Sequence, residues 1–159
     1  MTTNATYPSA EFPAPAGVSV PVPEGWASLA AVAPLLAVGR VAHEPGTFQA
    51  NLIVTSKRTL GITLAEAAEA TAQSLRTSPE WAETGQEFCD ALGGRPCFRI
   101  EGAFSSEQAG TVYQAALTTV VERGPFVDIV QVVGSCTASQ VDDCLPAIRA
   151  MQQGATLTD

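Results

Sequence analysis

The chain has 159 residues and a mass of 16.5 kDa, the size of one domain. It carries 8 basic and 16 acidic residues, so its formal net charge is −8, and charged residues make up only 15% of it. This charge balance argues against nucleic acid as the main partner, because a phosphate backbone needs a basic footprint. Hydrophobic residues make up 46% of the chain, which argues against disorder over most of the length.

The first residues predict a flexible arm, since Pro8, Pro13 and Pro15 stand among Thr, Ala and Ser. We therefore divide the chain into an arm, residues 1–16, and one domain, residues 17–159. The arm has neither the basic residues nor the apolar run of a signal peptide, and no window reaches the roughly 18 apolar residues of a membrane-spanning helix. As it stands, the sequence predicts a cytoplasmic protein. A removed leader would instead place the protein in the cell envelope or outside the cell.

Alternating side chains in the first half of the domain predict strands. Valines alternate with Ser and Pro over residues 18–22, and two prolines confine such a strand to a sheet edge. A second apolar run covers residues 34–41. Residues 48–55 alternate strictly, with one apolar face. Ile53 is the single apolar residue on the other face, which hints that this face is partly covered.

Two segments predict helices. The first, residues 63–76, begins with the capping-box motif Thr-Leu-Ala-Glu, in which the Thr and Glu side chains satisfy each other's free backbone N–H groups. Its apolar stripe is narrow and rich in Ala, which suits close packing on a sheet. The second segment, residues 139–152, contains Pro146. Either the helix kinks there, or Asp143 caps a shorter helix that has Pro146 in its first turn.

The second half of the domain predicts strands joined by tight turns. Residues 87–92 and 96–104 flank the Gly93-Gly94 turn, and residues 111–121 and 126–134 form a later pair. The later pair has apolar residues on both faces, which is typical of strands in the middle of a covered sheet. Tight turns make the sheet mainly antiparallel. The sequence therefore predicts an α+β fold, a mainly antiparallel β-sheet with helices packed on both faces, or α/β/α sandwich.

The four cysteines, Cys89, Cys97, Cys136 and Cys144, allow two interpretations. If the hairpin loop is residues 92–94, Cys89 and Cys97 lie directly opposite each other, near enough for a disulfide. A disulfide between Cys136 and Cys144 would similarly clip a strand end to a helix. In the other interpretation all four are free, buried thiols that act as small hydrophobic residues. The sequence leaves both open, and its cysteine spacing disfavours a zinc site.

Two tryptophans and the single histidine are the candidates for a ligand or partner site. Trp26 and Trp81 both follow turn-like segments, where each is either an aromatic wall of such a site or a large side chain that closes the end of the core. His43 lies in a loop before Glu44, and a loop histidine is more commonly just exposed. No residue pattern predicts a catalytic, cofactor-binding or metal-binding residue.

The order of several short motifs resembles that of a known family. In chain order, the motifs are Pro23-Glu24-Gly25-Trp26, Ala50-Asn51-Leu52-Ile53-Val54, Thr63-Leu64-Ala65-Glu66-Ala67, Arg95-Pro96-Cys97, Glu101-Gly102 and Thr137-Ala138-Ser139. Over residues 17–158, this order resembles the LpqN/LpqT lipoprotein family of mycobacteria and their relatives. That family is similar in fold to PsbP, an extrinsic subunit of photosystem II.

The resemblance implies a PsbP-like antiparallel sheet between helical layers and a non-enzymatic binding or accessory protein of the cell envelope. It implies a protein partner or an apolar, lipid-like ligand, and no cofactor. A cleft between sheet and helix, or an exposed sheet edge, would bind it. Family members carry a leader that ends in a lipidated cysteine, whereas here no cysteine precedes Cys89.

Two other functions stay open. The alternative from a different class is a cysteine-dependent hydrolase or redox protein, which rests only on the cysteines and His43. A third possibility is an assembly accessory protein that dimerises by pairing through residues 18–22. The sequence does not decide the oligomeric state.

Overall fold

The computed structural model describes residues 1–158, which contain nine strands, two α-helices and one short 3-10 helix. The strands are β1 (Gly17–Ser19), β2 (Trp26–Leu29), β3 (Leu36–Arg40), β4 (Asn51–Thr59), β5 (Ala82–Ala91), β6 (Arg95–Ser106), β7 (Gly110–Arg123), β8 (Phe126–Thr137) and β9 (Thr156–Thr158). The helices are α1 (Leu64–Arg76) and α2 (Val141–Gly154), and the 3-10 helix at Ala138–Gln140 leads directly into α2.

Seven strands form one antiparallel sheet in the order β2-β3-β4-β8-β7-β6-β5. The longest pairing joins β7 to β8, from Val112 opposite Thr137 to Arg123 opposite Phe126. Both strands lie inside the sheet, as their two apolar faces predict. Helix α2 packs on one face of the sheet and α1 on the other. The predicted α+β fold with a mainly antiparallel sheet is therefore confirmed.

The face of the sheet that α2 covers carries the larger core. Buried side chains of β3, β4, β6, β7 and β8 meet four buried side chains of α2, which are Cys144, Leu145, Ile148 and Met151. The fit is close, because a Cβ added at Gly134 of β8 would overlap the side chain of Ile148. Residues of β1 and β9 pack against the same core. This face is therefore closed by three separate parts of the chain.

Helix α1 covers the other face, mainly over β6 and β7. The predicted capping box is present, with Thr63 as the N-cap residue and Glu66 as its partner. Ala68 and Ala72 pack in the core on this side. Beyond the helix the cover is partial, since Ile53 of β4 is 36% exposed.

Two details of the chain differ from the expectation. The edge strand predicted at residues 18–22 is shorter, Gly17–Ser19, and it pairs with β9 in a two-stranded sheet separate from the large one. Prolines follow directly, at positions 21 and 23, and cannot donate a ladder hydrogen bond. Asp143 does not cap a helix, since α2 begins at Val141 and continues through Pro146.

The N-terminal arm reaches the sheet through two arginines. Arg58 Nη1 donates to the carbonyl of Pro13 at 2.6 Å, and Arg123 donates twice to the carbonyl of Ala14, at 3.0 and 2.7 Å. Arg58 is itself held by Asp128, whose two carboxylate oxygens accept at 2.7 and 2.9 Å. The last residues of the arm therefore contact the domain, and the division of the chain at residue 16 stays a prediction.

Candidate functional site

The two tryptophans lie on opposite faces of the sheet. Trp26 begins the edge strand β2 and is half-buried against the core on the α2 side. Trp81 precedes β5 and packs against the core on the α1 side, over Gly102, where an added Cβ would lie 2.5 Å from the ring. The structure does not bring the two rings together. Each packs at the end of a core layer instead.

His43 lines a polar hollow of about 450 Å³ at one end of the sheet. The side chains around it include Glu44, Thr47, Gln108 and Ser139. The imidazole Nδ1 lies 3.4 Å from the carbonyl oxygen of its near neighbour in the chain, Val41. No cysteine lines this hollow, so the histidine and the thiols are not assembled into one site there.

All four cysteines are free thiols in the structure. Cys89 and Cys97 lie directly opposite each other on β5 and β6, which confirms the predicted register and the loop at residues 92–94. Cys144 accepts a hydrogen bond from Arg40 Nη1 at 2.9 Å and is fully buried. The two disulfides stay predictions.

Burial makes three of these thiols weaker acids than an ordinary cysteine. It raises the pKa of Cys89 and Cys97 above the ordinary value, and it raises the pKa of Cys136 to about 11. The thiolate is the nucleophilic form of cysteine, so little of it is present on these residues near neutral pH. Cys97 and Cys136 are buried, and Cys89 is partly exposed but its pKa is still raised, so none of the three has the lowered pKa of a reactive cysteine.

An exposed sheet edge and a cleft between sheet and helix come together at one place in the molecule. This is the α1–β5 groove, which has a volume of about 380 Å³. Helix α1 forms one wall, strand β5 forms the other, and β6 contributes the base. The lining residues are Ala65, Ala68, Glu69 and Ala72 of α1, Gln86, Glu87 and Phe88 of β5, and Phe98 of β6.

The groove exists because α1 lies over β6 and β7 and presents alanines on its side toward β5. Phe88 and Phe98 are directly opposed in the strand register, and their rings are 5.2 Å apart at an angle of 50°. Phe98 is 4% exposed, whereas Phe88 is 62% exposed. The aromatic pair thus leads from the core to the surface, and exposed aromatic rings of this kind are typical of binding sites.

Strand β5 leaves one backbone edge without a neighbouring strand. It is ten residues long and, among the residues the structure describes, it pairs only with β6. A bulge between Glu83 and Gly85 interrupts the register near its start. Bulges of this kind keep other strands from pairing with an edge. The stretch Gly85–Ala91 follows the bulge in regular register and is free to pair.

Hollows lie on both faces of this edge. On the α1 side, the groove is extended by a hollow of about 250 Å³ that includes Phe88, Cys89 and Asp90. On the α2 side, Gly85 and Arg99 help to line a hollow of about 190 Å³. Successive side chains of an added strand point to opposite faces, so such a strand would place them alternately in these two spaces.

The wall of the hollow on the α2 side is held by a network of hydrogen bonds around Glu101. Arg149 donates to both carboxylate oxygens, at 3.0 and 2.5 Å, and Tyr113 donates to one at 3.0 Å. Burial by itself would raise the pKa of Glu101, but the hydrogen bonds from Arg149 and Tyr113 leave it below its ordinary value. The network ties α2 to β6 and keeps Glu101 charged.

Within residues 1–158, no helix is both long enough and apolar enough to cross a membrane. The same residues contain no group of three or more His, Cys, Asp or Glu side chains arranged to hold a metal ion. At the α1–β5 groove, an open strand edge lies beside apolar and acidic side chains.

The fold is that of a PsbP-like α+β protein, a sheet with one helix on each face. The chain belongs to the LpqN family, since the family model described as "Probable lipoprotein LpqN" matches residues 5–158. The resemblance to this family predicted from the motif order is therefore confirmed. No curated protein matches the chain in sequence.

The solved structures similar to this one include the following two. The crystal structure of LpqN from Mycobacterium tuberculosis, described as involved in cell envelope biogenesis, is 18% identical with a TM-score of 0.81, over 92% of this chain and 86% of that one. The solution structure of cyanobacterial PsbP (CyanoP) from Synechocystis sp. PCC 6803 is 14% identical with a TM-score of 0.56, over 89% of this chain and 86% of that one. At these identities the likeness shows the fold alone.

Sequence reasoning did not single out Phe88. One signal was available, since the register that opposes Cys89 to Cys97 also opposes Phe88 to Phe98 across the same turn. The register alone does not tell which ring is buried. That depends on where α1 lies, and α1 belongs to a part of the chain that precedes both strands.

Proposed function

We propose that this protein is a non-enzymatic accessory protein of the cell envelope that binds a partner protein by adding a strand of the partner to β5. The observation that carries this is the open edge of β5 beside the α1–β5 groove, where Phe88 is 62% exposed. In strand addition, main-chain hydrogen bonds supply affinity and hollows for alternate side chains supply specificity. This edge has both.

An envelope location is supported by the family's description as a lipoprotein and by the role in cell envelope biogenesis that the LpqN structure carries in its description. A non-enzymatic role is supported by the chemistry of the cysteines. Three have raised pKa values, Cys144 is fully buried, and none lines the hollow of His43. A cysteine hydrolase needs a thiolate beside an accessible base.

The proposal is tested with peptides selected for binding to the full chain. Displayed random peptides of about 12 residues exceed the length of a typical strand and therefore allow strand addition. We expect the selected peptides to slow amide hydrogen exchange in β5 and to lose binding to Phe88→Ala. Leu60→Ala is the matched control, because Leu60 is 85% exposed and does not line the groove. Peptides that instead protect β2, or that bind Phe88→Ala unchanged, would contradict the proposal.

A second candidate function is the binding of an apolar, lipid-like ligand at the opposite edge of the sheet. A hollow of about 350 Å³ beside β2 and β3 is lined mostly by apolar side chains, of which Val22 is 44% and Leu35 43% exposed. Native mass spectrometry of the purified protein tests it. An adduct that Leu35→Glu abolishes would support this function, and a clean apo mass with no lipid uptake would contradict it.

A further inference from the structure

We infer that the segment that adds to β5 is cationic, an extended strand in which Lys or Arg side chains alternate with small uncharged ones. Its basic side chains lie in the α1–β5 groove and its small ones face the α2 side. This inference rests on the proposed strand addition at β5 and adds the chemistry of the partner.

The charges around the groove favour basic side chains. Glu69 and Glu87 line the groove, and the hollow beyond Phe88 adds Asp90. Glu87 is already paired with Arg99 of β6, so Glu69 and Asp90 are the acids that the partner would meet on this side. Neither space has a Lys or Arg among the described residues that line it. A basic side chain placed there gains an opposite charge, and the added strand would itself shield the pair from part of the solvent, which strengthens it.

The apolar surface between these acids suits the stem of a long basic side chain. The ring of Phe88 and the methyl groups of Ala68 and Ala72 line the groove together with Glu69. Lys and Arg bury an aliphatic stem along apolar surface while the charged end stays at the rim. A short or purely apolar side chain would cover the carboxylates without pairing them, which costs free energy.

The hollow on the α2 side favours small, uncharged residues at the alternate positions. It is smaller, about 190 Å³, and its charges are already matched within the protein. Arg99 Nη1 lies 3.5 Å from Glu87 Oε1, and Glu101 accepts a hydrogen bond from Arg149 Nε. A further charge would have no unmatched partner there.

A second copy of this chain is a poor occupant of the same edge. Strand β5 carries three acids, Glu83, Glu87 and Asp90, and no basic residue. Pairing two copies of β5 would bring two sets of these acids onto one strand ladder with no basic side chain among them, and like charges on paired strands repel. The same acids that discourage self-pairing attract a cationic strand, so the charge of β5 selects for the partner.

The experiment appends a test strand to the C-terminus of the full chain. A Cβ added at Gly93, in the turn that ends β5, would lie 3.9 Å from the Thr156 side chain, so the C-terminal strand approaches the end of β5. A Gly/Ser linker of about 10 residues spans roughly 17 Å and gives a millimolar effective concentration. The three test strands alternate Lys with Val, Glu with Val, or Thr with Val over about eight residues.

The readout is amide hydrogen exchange of Gly85–Ala91. We expect the Lys/Val strand to slow exchange there at least tenfold more than the Glu/Val strand, and added salt to reduce this difference. Neutralising the groove with Glu69→Gln and Asp90→Asn should reduce the protection by about threefold to tenfold. Glu24→Gln removes one charge at the opposite edge and should leave the protection unchanged.

Failure of the inference and failure of the proposed function give different results. If the Glu/Val or Thr/Val strand protects β5 as well as the Lys/Val strand does, strand addition stands and the cationic partner is overturned. If none of the three strands protects β5, strand addition itself is contradicted. Unchanged melting temperatures of the variants establish that the groove substitutions act on binding rather than on folding.

Discussion

The two faces of the sheet are covered by helices of nearly equal length, with 13 residues in α1 and 14 in α2, but they are packed differently. On the α2 side, large side chains such as Ile148 and Met151 enter a core that β1 and β9 also close. On the α1 side, alanines pack on β6 and β7 and the helix does not cover the edge strand β5. The α2 face therefore carries most of the apolar core, and the α1 face leaves the side of β5 uncovered.

Side-chain size explains the difference. Burial stabilises by roughly 25 cal/mol for each Å² of apolar surface removed from water, so an alanine contributes far less than an isoleucine. The α1 side also contains a polar group in its interior, where Thr71 lies within 3.2 Å of Thr118 and accepts a hydrogen bond from Gln131 at 2.9 Å. Such hydrogen bonds position α1 on the sheet while adding little apolar burial.

The largest expected effect is a loss of core packing on the α2 side. Ile148 is fully buried, so Ile148→Ala should lower the free energy of unfolding by about 3–4 kcal/mol through lost burial and the cavity left behind. Leu64→Ala, at a partly buried position on the α1 side, should cost about 1 kcal/mol. Chemical denaturation measures both. Equal losses would show that the two faces are not packed to different depths.

A second effect on the α2 side appears at alkaline pH. Burial raises the pKa of Cys136 to about 11 from an ordinary value of 9.0, so between these pH values the unfolded chain holds fewer protons than the folded one. Stability from this group is therefore fully present below pH 9 and is lost as the pH rises to 11, by about 2–3 kcal/mol. Urea unfolding across this range should show a flatter decline for Cys136→Ala than for Cys89→Ala. If the free energy of unfolding declines equally steeply in both variants, the effect does not come from the raised pKa of Cys136.

A smaller effect tests the close contact on the α1 side. A Cβ added at Gly102 would lie 2.5 Å from the Trp81 ring, so Gly102→Ala should displace the indole and cost about 1–2 kcal/mol. The control is Gly85→Ala on the neighbouring strand, where nothing lies within 4 Å of an added Cβ. Tryptophan fluorescence and thermal unfolding report the two variants. If Gly102→Ala changes neither the tryptophan fluorescence nor the melting temperature, the packing of Trp81 on Gly102 is not close.

The smallest effect on stability is expected at the groove itself. Phe88 is 62% exposed, so Phe88→Ala should change the free energy of unfolding by about 0.5 kcal/mol or less while it removes binding of the selected peptides. Phe98→Ala, at the 4% exposed partner ring, should cost about 3 kcal/mol instead. Calorimetry with a selected peptide separates binding from stability. A large loss of stability in Phe88→Ala would place this ring in the core.

Long and strongly patterned elements could be predicted from the sequence. The capping box at Thr63 marks the start of α1, and the two apolar faces of β7 and β8 place them inside the sheet. The short strands could not be predicted, because three or four residues carry too little pattern of their own. Strands β1, β2 and β9 are held by pairing with their neighbours. The edge strand predicted at residues 18–22 is therefore shorter, Gly17–Ser19, and lies in a separate two-stranded sheet.

At the candidate site, too, some features could be predicted from the sequence and others could not. The hairpin register that opposes Phe88 to Phe98 and the acidic character of β5 follow from local spacing and composition, so the sequence alone predicts them. The burial of Phe98 and the exposure of Phe88 depend instead on packing between distant segments. That difference depends on α1 lying over β6 and β7 and ending its cover before β5, which is set by packing between segments far apart in the chain.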